Sequence, residues 1–169
     1  MSVAYDNSSR EETSDVEGLK VEYLQALRLV ERLHRLLLDV IKDEFDRVGQ
    51  SDLNSVQALL VYNIGESELT AGELKTRGYY LGSNVSYNLK KLVDMGYIHH
   101  KRSDTDRRSV RVSLTEKGQD AYDLVNSLYQ RQLMSLGAVG EISERDLRML
   151  NLNLMRMERF WSDSIRYRL

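Results

Sequence analysis

From residue 19 to about residue 47, apolar side chains recur at the spacing of an α-helix. Tyr23, Leu27, Val30, Leu37 and Ile41 form one stripe; Ala26, Leu29, Leu33, Leu36 and Val40 form an adjacent one. The doubled stripe is wider than one packing partner needs. At 1.5 Å per residue the helix reaches roughly 40 Å, more than the diameter of a small domain. Part of it is therefore expected to bury against something else, and a second copy of the chain is the simplest candidate. Residues 1–18 are polar and acidic, lack periodicity and end in Gly18, so they read as a disordered tail.

Shorter elements follow. Asn54-x-x-Gln57 has the form of a capping box opening a helix over 55–64, which Gly65 ends. Thr70-x-x-Glu73 opens a short helix that carries Leu74 and stops near Gly78. A third helix is expected over 83–95, with Val85, Leu89, Leu92 and Val93 inside and Gly96 in the left-handed position beyond its end. The period then changes. Segments 97–103 and 109–114 read as strands; in the second, Val110, Val112 and Leu114 alternate with Arg111 and Ser113. The charged stretch between them suits an exposed hairpin tip. Thr115 caps a further helix with Ala121, Tyr122, Val125, Leu128 and Leu136 inside, broken by Gly137 and Gly140.

Ser143 caps the last helix, in which Leu147, Leu150, Leu154, Met157, Trp161 and Ile165 follow three and four apart. That is almost a coiled-coil seam. An amphipathic helix facing its own core reads the same way. The surplus apolar face at both chain ends favours a dimer seam, with Tyr23 and Leu27 contributing from the first helix and Phe160 and Tyr167 joining Trp161 as anchors. Tyr23, Tyr62, Tyr122 and Tyr129 are otherwise expected in the core, or in part along the wall of an effector cavity.

Composition narrows the chemistry. With 169 residues and 19.6 kDa, one domain is the default. There is no cysteine, which excludes disulfides, thiolate metal sites and cysteine catalysis. There is no proline, where average usage would give roughly eight, so helices run uninterrupted. Three histidines leave little for a metal site. His99 and His100 are neighbours on a strand, where adjacent side chains point to opposite faces, and no third ligand is near. His34 reads as a polar or interfacial residue. No stretch approaches the ~20 apolar residues of a membrane span and no apolar leader opens the chain, so a cytoplasmic protein is expected. No Gly-rich loop follows a strand and no catalytic set emerges, so the expectation is a non-enzyme with no cofactor, no metal and no membrane partner.

Charge is unevenly placed. Residues 1–69 hold 7 Lys and Arg against 14 Asp and Glu; residues 70–117 hold 10 against 5; residues 118–169 hold 7 of each. A basic centre between acidic and neutral flanks is the footprint of a phosphate-binding surface. That centre is ordered as short helix, turn, helix, basic hairpin: a winged helix-turn-helix. A helix fits the DNA major groove, and its first turns bring side chains to base edges. Ser83, Asn84, Ser86, Tyr87 and Asn88 are groove-reading types at those positions. Lys90 and Lys91 suit phosphate, as do Lys75 and Arg77 on the bracing helix. Arg107 and Arg108 at the hairpin tip can enter the adjoining minor groove. Asp104 and Asp106 beside them suit a role in fixing those arginines. Ser83, Asn84 or Ser86 could equally cap the helix, and Tyr87 could pack on Leu81.

The run Asp106-Arg107-Arg108-Ser109-Val110-Arg111-Val112-Ser113-Leu114-Thr115, continued by Glu116-Lys117-Gly118, resembles the wing signature of MarR-type transcriptional regulators: Asp-x-Arg, five residues, Leu-Thr. VSYNLKKLVDMGYI, residues 85–98, is similar to that family's recognition helix running into its wing. The longer run LGSNVSYNLKKLVDMGYI is similar to the LdtR branch, regulators linked to cell-wall transpeptidase genes and stress tolerance. The resemblance covers roughly residues 19–165. It implies a mainly α fold with a small β wing: one domain over 19–169, its winged head at approximately 52–117 and its dimerisation helices at approximately 19–47 and 118–169. It further implies a homodimer on a pseudo-palindromic double-stranded operator, usually a repressor, released by a small aromatic effector. By the same resemblance the wing arginine is Arg108 and its supporting aspartate Asp106. No motif transfers the effector residues. Members that sense oxidation use a cysteine near the first helix, so thiol-based peroxide sensing is excluded. Two other readings stay open: a winged-helix protein–protein adaptor and a non-specific DNA-binding protein.

Overall fold

The computed structural model describes residues 4–70, 72–74, 82–102 and 110–168, with side chains over 16–70, 72–74, 86–101 and 111–168. The elements are α1 (Ala4–Arg47), α2 (Ser55–Ile64), β1 (Leu69–Thr70), α3 (Gly82–Asp94), β2 (Ile98–Arg102), β3 (Val110–Leu114), α4 (Glu116–Leu136) and α5 (Glu144–Tyr167). Residues 72–74 form a helical turn between β1 and α3. The fold is mostly helical with a three-stranded antiparallel sheet, as the pattern predicts. Two compact units divide the chain, Met1–Val125 and Asn126–Leu169, and the division falls inside α4.

The start of α1 corrects the reading of 1–18 as a disordered tail: the helix begins at Ala4. No proline interrupts the segment, and a single glycine inside a helix costs only about 1 kcal/mol relative to alanine.

Three capping boxes start elements at the expected places. Asn54 and Gln57 exchange side-chain and backbone hydrogen bonds at α2. Thr70 and Glu73 do the same before the 72–74 turn. Ser143 and Asp146 do so at α5. Each box satisfies N–H groups that the first helical turn leaves orphaned.

The head core joins α1's end to α2, the sheet and α3. Ile41 and Phe45 of α1 and Ala58, Leu60, Val61 and Ile64 of α2 are buried where the two helices pack, and Leu74, Leu92, Tyr97, Val112, Ala121 and Val125 are buried as well. The sheet order is β1-β3-β2. β3 pairs with β2 from Ile98↔Leu114 to Arg102↔Val110, and with β1 through Leu69↔Val112 and Thr70↔Arg111. β1 is absent from the sequence reading, since two residues are too few to show alternation. The expected strands extend to 103 and 109, which lie outside the described residues.

The second unit is thinner. No described residue of α5 is buried, although its apolar seam is regular. Of that seam, Leu147, Met157 and Trp161 are half-buried, while Leu150, Leu154 and Ile165 are exposed.

Candidate nucleic-acid interface

The helical period divides α3 into two faces. Leu89 and Leu92 point into the core. Ser86, Tyr87, Lys90, Lys91 and Asp94 occupy the opposite arc and are exposed, with Asn88 half-buried at its edge. The outward arc is therefore polar and, in its second half, basic. Tyr87 keeps 62% of its surface exposed, and the Lys91 ammonium stands 5.9 Å from its ring centroid. Tyr87 thus faces outward, away from the core side on which packing would place it. Ser83 and Asn84 fall on the first turn of α3, but their side chains lie outside the described residues.

A left-handed Gly96 (φ 77°) ends α3. The Gly96 N–H donates to the Val93 carbonyl at 3.0 Å and the Tyr97 N–H to the Leu92 carbonyl at 2.9 Å. This double closure is the Schellman arrangement, which needs a residue tolerant of positive φ. It turns the chain at once into β2, so the wing leaves directly from the foot of α3.

A polar cluster pins that junction. Tyr97 is only 2% exposed, and its hydroxyl donates to both carboxylate oxygens of Asp52 at 2.9 Å. The Lys117 ammonium donates to Asp52 Oδ2 at 2.9 Å and to the Met95 carbonyl at 3.3 Å. It also lies 4.1 Å from the Tyr97 ring centroid, within cation–π range. Nearby, the Thr115 hydroxyl donates to the Gly96 carbonyl at 2.7 Å and accepts from the Gly118 N–H at 3.0 Å. The loop before α2, the end of α3 and the start of α4 are thereby tied together. The lysine bond holds the Asp52 carboxyl below the usual carboxylate range despite some burial. Its bond to Asp52 raises Lys117. Burial, and then the Asp52 carboxylate, pushes the Tyr97 phenol up.

The depressed Asp52 predicts acid sensitivity. Its contribution is fully present above the unfolded carboxylate value of 3.8 and is lost as the pH falls through the lower folded value. Asp52→Asn should therefore melt below the wild type at neutral pH, with the gap closing below about pH 4. Thermal unfolding across pH measures this; an equal gap at acid and neutral pH would refute it.

The sheet adds cations that the sequence reading missed. Lys101 and Arg111 stand directly across the β2–β3 ladder. Like charges in that position are unfavourable. Glu68 offsets one of them, 3.7 Å from Arg111, and Lys101 is exposed. Both were visible as charges, but only the strand register brings them to one face. His99 and His100 are both exposed, and among the described residues no group of three ligating side chains could hold a metal. Lys75, Arg77, Asp104, Asp106, Arg107 and Arg108 lie outside the described residues. Tyr62 and Tyr122 stack with centroids 5.2 Å apart and Tyr129 is half-buried. Tyr23, expected at a dimer seam or by default in the core, is 40% exposed within the single chain. Leu27 on the same helix is half-buried.

A helix with a polar outward face, braced by a capped turn and followed at once by a basic antiparallel hairpin, defines a winged-helix DNA-binding head. Residues 53–118 match the winged helix DNA-binding domain family. Over 156 residues the chain is 36% identical to the exopolysaccharide II synthesis transcriptional activator ExpG of Rhizobium meliloti (strain 1021), covering 90% of this chain and 78% of that one. Among solved structures, the transcriptional regulator SlyA aligns with a TM-score of 0.70 at 20% identity, over 85% of this chain and 99% of its own. A mutant of MarR from E. coli, crystallised with operator DNA, aligns with a TM-score of 0.65 at 18% identity, over 80% of this chain and 95% of its own. At those identities the two structures share the fold. The chain belongs to the family of the transcriptional activator ExpG and is a DNA-binding transcriptional regulator with a winged helix domain, in the fold of MarR-type regulators. No described helix is long and apolar enough to cross a membrane.

Proposed function

We propose that two copies of the chain grip a pseudo-palindromic operator, each laying α3 in the major groove and its hairpin tip in the adjoining minor groove. The observation that carries this is the outward arc of α3, polar and basic, rooted through Gly96 in a sheet that bears Lys101 and Arg111. Ser83, Asn84, Ser86, Tyr87 and Asn88 meet base edges; Lys90, Lys91, Lys75 and Arg77 meet phosphates. Arg108, with Arg107 beside it, enters the minor groove, and Asp104 and Asp106 hold the arginines in place. The uncovered faces of α1 and α5 support a homodimer through Tyr23, Leu27 and the α5 seam, since no described residue of α5 is buried within its own chain.

Placed over a promoter, such a dimer excludes polymerase, and repression is the sign this reading expects. ExpG is called an activator, and the same grip upstream of a promoter serves recruitment. A shallow notch of about 360 Å³ along α1 is lined by Gln25, Arg28, Leu29, Glu31, Arg32 and Arg35, three cations against one carboxylate. Cations beside an apolar side chain suit a small aromatic acid as effector.

Selection of bound fragments from a random library tests the reading. The expected outcome is an inverted repeat whose affinity falls steeply with salt, as counterions return to the phosphates. Arg108→Ala should weaken binding to it at least about fivefold, the low end for one good contact, and aromatic acids should shift the release. No enrichment, or a flat salt response, would instead favour a winged-helix adaptor. Equal binding to random DNA would favour a non-specific binder.

A further inference from the structure

We propose that Tyr87 reads the C5-methyl group of a thymine, one in each half-site, as the main apolar contact of the recognition helix. The inference rests on the DNA-reading role of α3 proposed above and names what that helix recognises.

Tyr87 lies at the middle of the outward arc. The residues three and four positions before it are Asn84 and Ser83; those three and four after it are Lys90 and Lys91. Every other described side chain on that arc is a hydroxyl, a carboxamide or a charge. The apolar side chains of α3 whose surroundings are described, Leu89, Leu92 and Val93, are buried or half-buried on the other side. The helix thus exposes one large ring, at 62%, where a groove would lie closest.

An exposed ring is gained for binding only if it meets apolar surface on the partner. The major groove offers one bulky apolar group, the thymine methyl, where cytosine has only a hydrogen; the remaining readable features are hydrogen-bond donors and acceptors. Lys91 favours the same outcome. With its ammonium 5.9 Å from the ring centroid, it steadies the ring while staying long enough to reach a phosphate. A tyrosine also loses little rotamer freedom on binding, having only two side-chain torsions.

The experiment uses the operator recovered by selection, with each thymine replaced in turn by deoxyuridine in both half-sites. Binding is measured for the wild-type dimer, Tyr87→Phe and Tyr87→Ala. At one symmetric position, removing the methyl should weaken wild type and Tyr87→Phe about fourfold per half-site, the scale of one buried methyl. It should leave Tyr87→Ala unchanged. The side chain is exposed, so circular dichroism should show all three proteins equally folded. The proposal fails if no replacement matters more to wild type than to Tyr87→Ala, or if Tyr87→Phe binds as poorly as Tyr87→Ala, which would assign the role to the hydroxyl. Failure of the wild type to enrich any sequence is a different result: it removes the DNA-reading role of α3 and this contact with it.

Discussion

Replacing Leu154 by glutamate is expected to split the protein into single chains and to cut operator affinity by at least about 100-fold. Leu154 sits in the middle of the α5 seam, 41% exposed in one chain, on a helix with no buried described residue. Its fold within the chain therefore asks little of it, whereas a seam of two copies would close over it and leave the new carboxylate without water or partner. Two joined heads bind their half-sites with an effective concentration that raises affinity by roughly 10²–10⁴, and separate heads forfeit that factor. Sedimentation gives the mass and a gel shift the affinity. Arg159→Glu, on the opposite side of α5 and paired at 3.8 Å with Asp163, is the control and should remain dimeric. A dimeric Leu154→Glu, or a wild type already single, would refute the seam.

Gly118→Ala is expected to be the most destabilising conservative change in the head. A methyl carbon at Gly118 would lie 2.0 Å from the Tyr97 carbonyl oxygen and 3.3 Å from Leu114 Cβ. The obstacle is backbone, and that same oxygen accepts the Thr115 N–H at 3.1 Å, so relief means pulling the start of α4 off the foot of α3. Overpacking of this kind costs on the order of 3 kcal/mol. At this chain length that corresponds to a melting point lower by roughly 6–12 °C. Gly137→Ala is the matched comparison: nothing lies within 4 Å of its added carbon, so it should melt close to wild type. Equal melting of the two variants would contradict the close approach.

What could be read from the sequence was local. The Asn54–Gln57 and Thr70–Glu73 boxes close over three residues, so spacing alone reveals them. Gly96 shows itself by following an amphipathic run. Val112 shows itself by alternation. The unread features join distant positions. Asp52, Tyr97 and Lys117 meet across separations of 45 and 65 residues, and nothing near Asp52 marks it as a partner for a buried phenol. β1 exists only because β3 has an edge left to pair, and a two-residue strand has no period. Gly118 appeared only as part of a wing signature; the reason for it is the Tyr97 carbonyl. The early start of α1 leaves no mark in the sequence, because a polar helical segment shows no apolar stripe. Of the DNA-facing candidates, Tyr87 is the one whose placement changes its reading, from a helix that could pack it inward to an arc that turns it out.

Thr70 ties the wing sheet to the 72–74 turn that follows it. It is the last residue of β1, in register with Arg111, and its hydroxyl and N–H are both engaged with Glu73 at the turn that carries Leu74. A twist imposed on β3 is passed through the Thr70–Arg111 pairing to the hydrogen bonds that Thr70 shares with Glu73. In the proposed complex with DNA, a load on the wing would therefore be felt at the start of the helix-turn-helix, and the two holds would loosen together.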